Sequence, residues 1–154
     1  MSREIINKFY ESFKKLDSKT MVSLYHDEIT FTDPAFGTLK GNRAKAMWTM
    51  LCNNAQELKI TFSNVEADNI SGTAHWDATY LFGKTNRKII NSIDAKFKFK
   101  DGKIITHTDT FNLHTWARQA MGIKGLLLGG TSFFKNKLQN QTNKLLDKFI
   151  KNSL

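Results

Sequence analysis

Apolar residues near the N-terminus recur at steps of three and four: Ile5, Ile6, Phe9, Phe13 and Leu16. That period belongs to an amphipathic helix. Asp17-Ser18 then offers an N-cap for a second short helix running through Met21, Leu24 and Tyr25. Ile29 to Asp33 alternates like a strand and is held extended ahead of Pro34, the single proline. After Gly37 and Gly41, a third helical stripe follows in Ala44, Met47, Trp48 and Leu51. From residue 58 the period switches to two. Leu58, Ile60 and Phe62 open a series of four strands. The second carries Ala74, Trp76, Ala78, Tyr80 and Phe82, and ends in a turn at 83–86. The third carries Ile89, Asn91, Ile93, Ala95, Phe97 and Phe99 on one face. Asp101-Gly102 is a strong hairpin signal. Ile105, His107, Asp109, Phe111 and Leu113 share a face of the fourth strand. A short helix at 116–121, a Gly-rich apolar loop and a basic amphipathic helix over about 132–152 complete the chain. The order predicts an α+β fold, with helices covering one face of a mostly antiparallel sheet.

A length of 154 residues with 40% hydrophobic and 24% charged residues fits one soluble globular domain over 1–154. No apolar run approaches the roughly 20 residues of a spanning helix, and the N-terminus lacks the apolar core of a secretory leader. The lone cysteine, Cys52, excludes an internal disulfide. These features predict a cytoplasmic protein. The net charge of +9 attracts anions, yet the chain has no zinc-finger spacing, phosphate loop or base-stacking strand motif. A solvated basic surface is favoured over a nucleic-acid partner.

Two constellations carry chemistry. Asp33 ends a strand beside Pro34, with Phe31 and Phe36 around it. Desolvation raises the pKa of such a carboxylate into the range of an acid or base, whereas the structural alternative is an Asx turn. His107 and Asp109 lie two apart on an otherwise apolar strand face, so both point inward. They form either an acid–base pair at a pocket floor or a mutually satisfied buried pair without chemistry. A metal site is disfavoured, because no ligand spacing completes it from His75 or Asp33. No cofactor is expected.

The run Tyr25-His26-Asp27-Glu28-Ile29-Thr30-Phe31-Thr32-Asp33-Pro34, with Gly41 opening a helix, resembles the N-terminal signature of nuclear transport factor 2-like proteins. The series ending in Asp101-Gly102-Lys103-Ile104 and His107-x-Asp109-x-Phe111 is similar to the SnoaL-like polyketide cyclase branch, near the ketosteroid isomerases. The resemblance covers roughly residues 3–120. It implies a cone-shaped (cystatin-like) curved sheet with helices on its concave face, around an apolar pocket, in a homodimer formed through the outer sheet face.

By the same resemblance Asp33 matches the isomerase base, and Asp109 matches the cyclase acid/base with His107 beside it. Tyr10 or Phe9 matches the isomerase's oxyanion tyrosine. The isomerase's second oxyanion group falls on Asp94 or Ala95, but alternation turns Asp94 outward with Lys96 and Lys98. Catalysis is therefore assigned to Asp109, His107 and Asp33. Tyr10, Tyr25, Trp48 and Trp76 are candidate ligand-binding wall residues, together with Tyr80, Asn91 and Phe111.

The implied ligand is small, mainly apolar, and bears a carbonyl or hydroxyl. The implied activity is cofactor-independent isomerisation or aldol-type cyclisation. A non-catalytic binding or interaction module is the rival. Epoxide hydration ranks lower, because it needs an Arg between two carboxylates and the strand faces offer none inward. For the C-terminal helix, docking of Phe134, Leu138, Leu145 and Phe149 onto the cone is favoured over contact with an anionic membrane surface.

Overall fold

The computed structural model describes residues 1–154. Helices α1 (Ser2–Lys14) and α2 (Ser18–Ser23) lead into strand β1 (Tyr25–Asp33). Strand β2 (Gly37–Lys40), helix α3 (Asn42–Asn53) and strand β3 (Lys59–Ala67) come next. Strands β4 (Ser71–Phe82), β5 (Arg87–Lys100) and β6 (Lys103–Thr110) follow. Helices α4 (Leu113–Met121), α5 (Ile123–Leu128) and α6 (Ser132–Asn152) complete the chain. The six strands form one curved, unclosed sheet in the order β2-β1-β6-β5-β4-β3, and every pairing is antiparallel except β1 with β6. The architecture is the α+β cone expected from the sequence.

The inner face of the sheet holds the core because side chains alternate. Along β5, Ile89, Ile93, Ala95 and Phe97 are buried while Ile90, Ser92, Asp94 and Lys96 are exposed. Asp94 therefore faces out. The β5–β6 turn places Asp101 at φ +54° and Gly102 at φ +74°. Two successive positive φ values are what a tight hairpin with right-handed strand twist requires. Helix α1 buries Ile6, Phe9, Tyr10 and Phe13 against the sheet, and Trp48 of α3 meets Phe9 and Phe13 edge-on.

Several local expectations change. Tyr25 opens β1 rather than closing α2, and Gly37–Lys40 pairs with β1 as an edge strand. A register shift in the β5–β6 ladder leaves Ile105 unpaired, so Ile104 is the fully buried residue of that face. Leu113 starts α4 instead of extending β6, because Asn112 caps that helix through Thr115 N–H at 3.0 Å. The Gly-rich segment after Met121 is not a loop: it contains α5. Helix α6 docks through Leu146, which is fully buried, with Leu138 and Phe149 half-buried. Arg43 also pairs with Asp147, and Thr142 Oγ1 donates to Ala35 O at 2.8 Å. Leu145 stands 54% exposed, one position off the buried stripe.

Candidate functional site

Between the sheet's inner face and helices α3 and α6 lies a cavity of about 700 Å³, lined by 32 residues of which 21 are hydrophobic. Its few inward polar groups are therefore the source of any chemistry. β6 delivers Asp109, β1 delivers Asp33, β4 delivers Tyr80 and β5 delivers Asn91. Trp48, Trp76 and Phe111 supply apolar wall.

His107 does not line the cavity. It is fully buried in an aromatic cage, its ring parallel to Trp48 at 5.8 Å and centred 4.4 Å from Phe97 and 5.0 Å from Phe31. Its two nitrogens join a chain of hydrogen bonds. Trp48 Nε1–H donates to Tyr25 Oη at 2.7 Å, and the Tyr25 hydroxyl lies 2.7 Å from His107 Nδ1. Indole is a donor only, so the Tyr25 proton points to Nδ1, and Nε2–H donates to Asp109 Oδ1 at 2.9 Å. Trp76 Nε1–H adds a longer bond to the same oxygen at 3.4 Å. Asp109 Oδ2 makes no protein hydrogen bond and is the oxygen left for the cavity.

Asp33 is held differently. Its Oδ1 accepts from Ala35 N–H at 2.9 Å and Phe36 N–H at 2.6 Å, an Asx turn that fixes the carboxyl at the strand end. Oδ2 again has no protein partner. Burial pushes the Asp33 pKa up to about 7; the nearby Asp109 charge adds to this, and the two backbone donors oppose it. Asp33 is only partly buried and lines the cavity. Near neutral pH the site thus holds a carboxyl that changes protonation beside Asp109, which is fixed by a histidine and an indole. Tyr80 Oη accepts from Trp116 Nε1–H at 2.8 Å, which leaves its own proton for a ligand oxygen. Burial raises the Tyr80 pKa, so the phenol stays protonated.

Two of the expected wall residues do not reach the cavity. The Tyr25 hydroxyl is committed to Trp48 and His107. Tyr10 stacks on Phe62 at 5.3 Å inside the α1–sheet packing, fully buried, and its hydroxyl has no partner. Phe13, one helical turn later, is the α1 residue that borders the cavity. Sequence reading also missed Trp116 of α4 and the α6 contribution of Gln141, Thr142 and Lys148. The signal for α6 was the apolar stripe itself, since Leu138, Leu145 and Phe149 line the cavity as well as flanking the dock. No group of three or more His, Cys, Asp or Glu side chains is arranged to hold a metal ion. His75 lies on the opposite face of the sheet, bonded to Asp94 and Asp77.

A family model for the SnoaL-like domain matches residues 6–107, and the chain belongs to that family. Three solved structures show the same fold. One is a Catenulispora acidiphila protein with a ketosteroid isomerase-like fold in complex with trimethylamine: 13% identity, 76% of this chain and 92% of that one, TM-score 0.66. Another is a proposed polyketide cyclase from Pseudomonas putida: 19% identity, 78% of this chain and 98% of that one, TM-score 0.66. The third is an LEH-like epoxide hydrolase from M. tuberculosis: 16% identity, 82% of this chain and 89% of that one, TM-score 0.63. No curated protein matches the chain.

Proposed function

We propose that this SnoaL-like domain binds a small, mainly apolar carbonyl compound and moves a proton at the carbon beside the carbonyl, as in isomerisation or aldol-type cyclisation. The observation that carries the proposal is the pair of cavity carboxyls in contrasting environments. Asp109 is the base: Oδ1 is anchored by His107 and Trp76, and Oδ2 is free to take a proton. Asp33 is the acid, because its pKa of about 7 lets it hold a proton near neutral pH and release it without a large penalty. Tyr80 donates to the substrate oxygen and stabilises negative charge developing there. His107 is a positioning residue that holds Asp109 and keeps its own proton on Nε2.

Solvent deuterium exchange tests this directly. With a panel of cyclic ketones in heavy water, NMR should show label entering the α-carbon with the parent protein. The Asp109→Asn variant should lose at least about 100-fold of that rate, the usual scale of a removed base. Exchange that persists in the variant at the parent rate removes Asp109 from the role. The rival reading is a binding module without turnover. It is favoured by one feature: both His107 nitrogens are bonded within the protein, and the ring does not line the cavity. Ketones that bind, seen by native mass spectrometry, with no exchange at any pH establish that reading instead. Epoxide hydration gains no support from the cavity, which is lined by no arginine.

We further propose a homodimer through the outer face of β4 and β5, where His75, Asp77, Thr79, Asp94 and Lys96 give a polar, partly wet interface. Light scattering should return twice the monomer mass of 17.6 kDa, and a monomer at micromolar concentration overturns it.

A further inference from the structure

Helix α5 packs the wrong way round for a helix covered by water. Its close contact with α4 is made by Gly125, with the following Gly129 also set against Ala117. A Cβ on Gly125 would fall within van der Waals overlap of the Ala117 carbonyl, so only glycine allows the approach. His114 Nε2 bonds Leu126 O at 2.7 Å and ties the two helices together. With the glycines inward, the large side chains turn outward. Ile123 is 75% exposed and Leu127 is 71% exposed, with Leu126 and Leu128 about half exposed. Phe133, at the start of α6, adds a further exposed aromatic ring at 69%. This patch is separate from the α6 stripe that docks on the cone.

Charge says what covers it. From Thr110 to Leu146 the chain carries five cations, Arg118, Lys124, Lys135, Lys137 and Lys144, and no Asp or Glu. Arg87 is fixed beside this stretch, its Nε–H donating to Gln119 O at 2.7 Å. Exposed leucines and a phenylalanine within an all-cationic segment match the two layers of an anionic membrane surface: acyl chains below, phosphate headgroups above. No helix is long and apolar enough to cross a membrane, and α5 at six residues spans roughly 9 Å, a length that lies within one interface.

We propose that α5 and the first turn of α6 dock the protein onto an anionic lipid surface, with Ile123, Leu127 and Phe133 inserted and Lys124 and Lys135 on the headgroups. The test is co-sedimentation of the full chain with sucrose-loaded vesicles. One set is phosphatidylcholine alone and the other contains about one-third phosphatidylglycerol. The parent should pellet with the anionic vesicles, release in high salt, and stay in solution with phosphatidylcholine. Leu127→Glu should weaken anionic-vesicle binding about tenfold or more, as expected when a buried leucine is replaced by a charge of the wrong sign. Should that variant fail to keep the parent circular dichroism spectrum, Ile123→Ser at an equally exposed position replaces it. Lys124→Gln combined with Lys135→Gln should weaken binding and flatten its salt dependence. Absence of pelleting with anionic vesicles overturns the proposal, as does equal pelleting by parent and folded variant. A Leu127→Glu variant that splits an oligomer into monomers while vesicle binding is unchanged assigns the face to a second copy instead, and also overturns it.

Discussion

The chain contains the same three-residue pattern twice, once on each side of the sheet. His75-Trp76-Asp77 lies on β4 and His107-Thr108-Asp109 on β6. On β4 the central residue is the buried one, so His75 and Asp77 face out, where His75 Nδ1 lies 2.9 Å from Asp94 Oδ1. On β6 the outer two residues of the pattern are buried, and His107 Nε2 lies 2.9 Å from Asp109 Oδ1. Within the pattern itself His75 Nε2 lies 3.3 Å from Asp77 Oδ1, so the contact is longer than its β6 counterpart. The chemistry matches, and the dielectric does not. Outside, water screens the pair and competes for both partners, so it contributes little. Inside, each group has been stripped of water, and the network must satisfy every donor and acceptor by itself. A His–Asp contact thus acquires its energetic and chemical weight from the strand face it occupies, and the two sites can be set against each other by mutation.

The largest contrast should come from removing each histidine. His107→Ala leaves the Tyr25 hydroxyl and the Asp109 carboxylate without their shared partner and opens a void among Trp48, Phe97 and Phe31. Loss of one member of a buried pair together with the void should cost about 3–5 kcal/mol in urea unfolding. His75→Ala, half-exposed with only surface partners, should stay within about 0.5 kcal/mol. Equal losses at the two positions would show that burial does not distinguish them.

The second contrast is the pH response of the cavity wall. The Asp33 pKa rises from 3.8 to about 7 on folding, so the folded state holds that proton more tightly than the unfolded chain does. Below pH 4 both states are protonated and Asp33 imposes no penalty. Between about pH 4 and pH 7 the unfolded chain ionises first, and stability falls as pH rises. Above pH 7 the loss is complete, on the order of 1–4 kcal/mol. Asp33→Asn retains an oxygen for the Ala35 and Phe36 N–H groups and cannot ionise. It should be more stable than the parent at pH 8 and converge with it near pH 4. Parallel curves for the two proteins across that range would mean that Asp33 is not desolvated.

Much of this contrast was already legible in the residues. The inward direction of His107 and Asp109 followed from Ile105 and Phe111, and it holds although the register shift puts Ile104, not Ile105, on the buried face. The outward direction of Asp94 followed from its apolar neighbours Ile93 and Ala95. Asp101-Gly102 announced its hairpin, because few other residues tolerate two positive φ values in succession. Depth within the core was not legible. Tyr10 and Phe13 share one face of α1 and only the curvature of the sheet decides which meets the cavity. The pair Ile104-Ile105 hides the register shift, since two identical neighbours carry no periodicity. Helix α5 was obscured by glycines that read as loop residues and prove to be its packing surface.

A smaller effect isolates the relay behind Asp109. Tyr25→Phe keeps the ring stacked on Phe9 at 5.6 Å but deletes the oxygen that accepts from Trp48 and the proton that points to His107. Two buried groups lose a partner, which should cost about 1–3 kcal/mol. If the relay also sets the tautomer, the same variant should slow α-proton exchange while ketone affinity changes by less than about twofold. No change in stability or in exchange would confine the working network to His107, Asp109 and Trp76.

The smallest effect lies on the outer face, where stability again falls as pH rises but for the opposite reason: a favourable charge is lost there, whereas at Asp33 an unfavourable one forms. The Asp94 carboxylate, followed by Asp77, raises the pKa of His75 above its usual 6.5, with partial burial opposing. A histidine whose folded pKa is raised contributes stability that is fully present below the unfolded value and is lost as pH climbs through the folded value. The window therefore opens at about pH 6.5 and extends upward, above most of the range in which Asp33 acts. Because the His75 side chain is 30% exposed and Asp94 80% exposed, the amount should stay below about 1 kcal/mol and shrink in high salt. Asp33→Asn supplies a background free of the larger titration. In that background, stability from about pH 6 to pH 8.5 should fall slightly, and adding Asp94→Asn should remove most of the fall. A fall that survives Asp94→Asn unchanged would mean that Asp77 alone holds the histidine. A fall as large as that produced by Asp33 would mean that the outer face is shielded from water, as it would be at the centre of a tightly packed dimer.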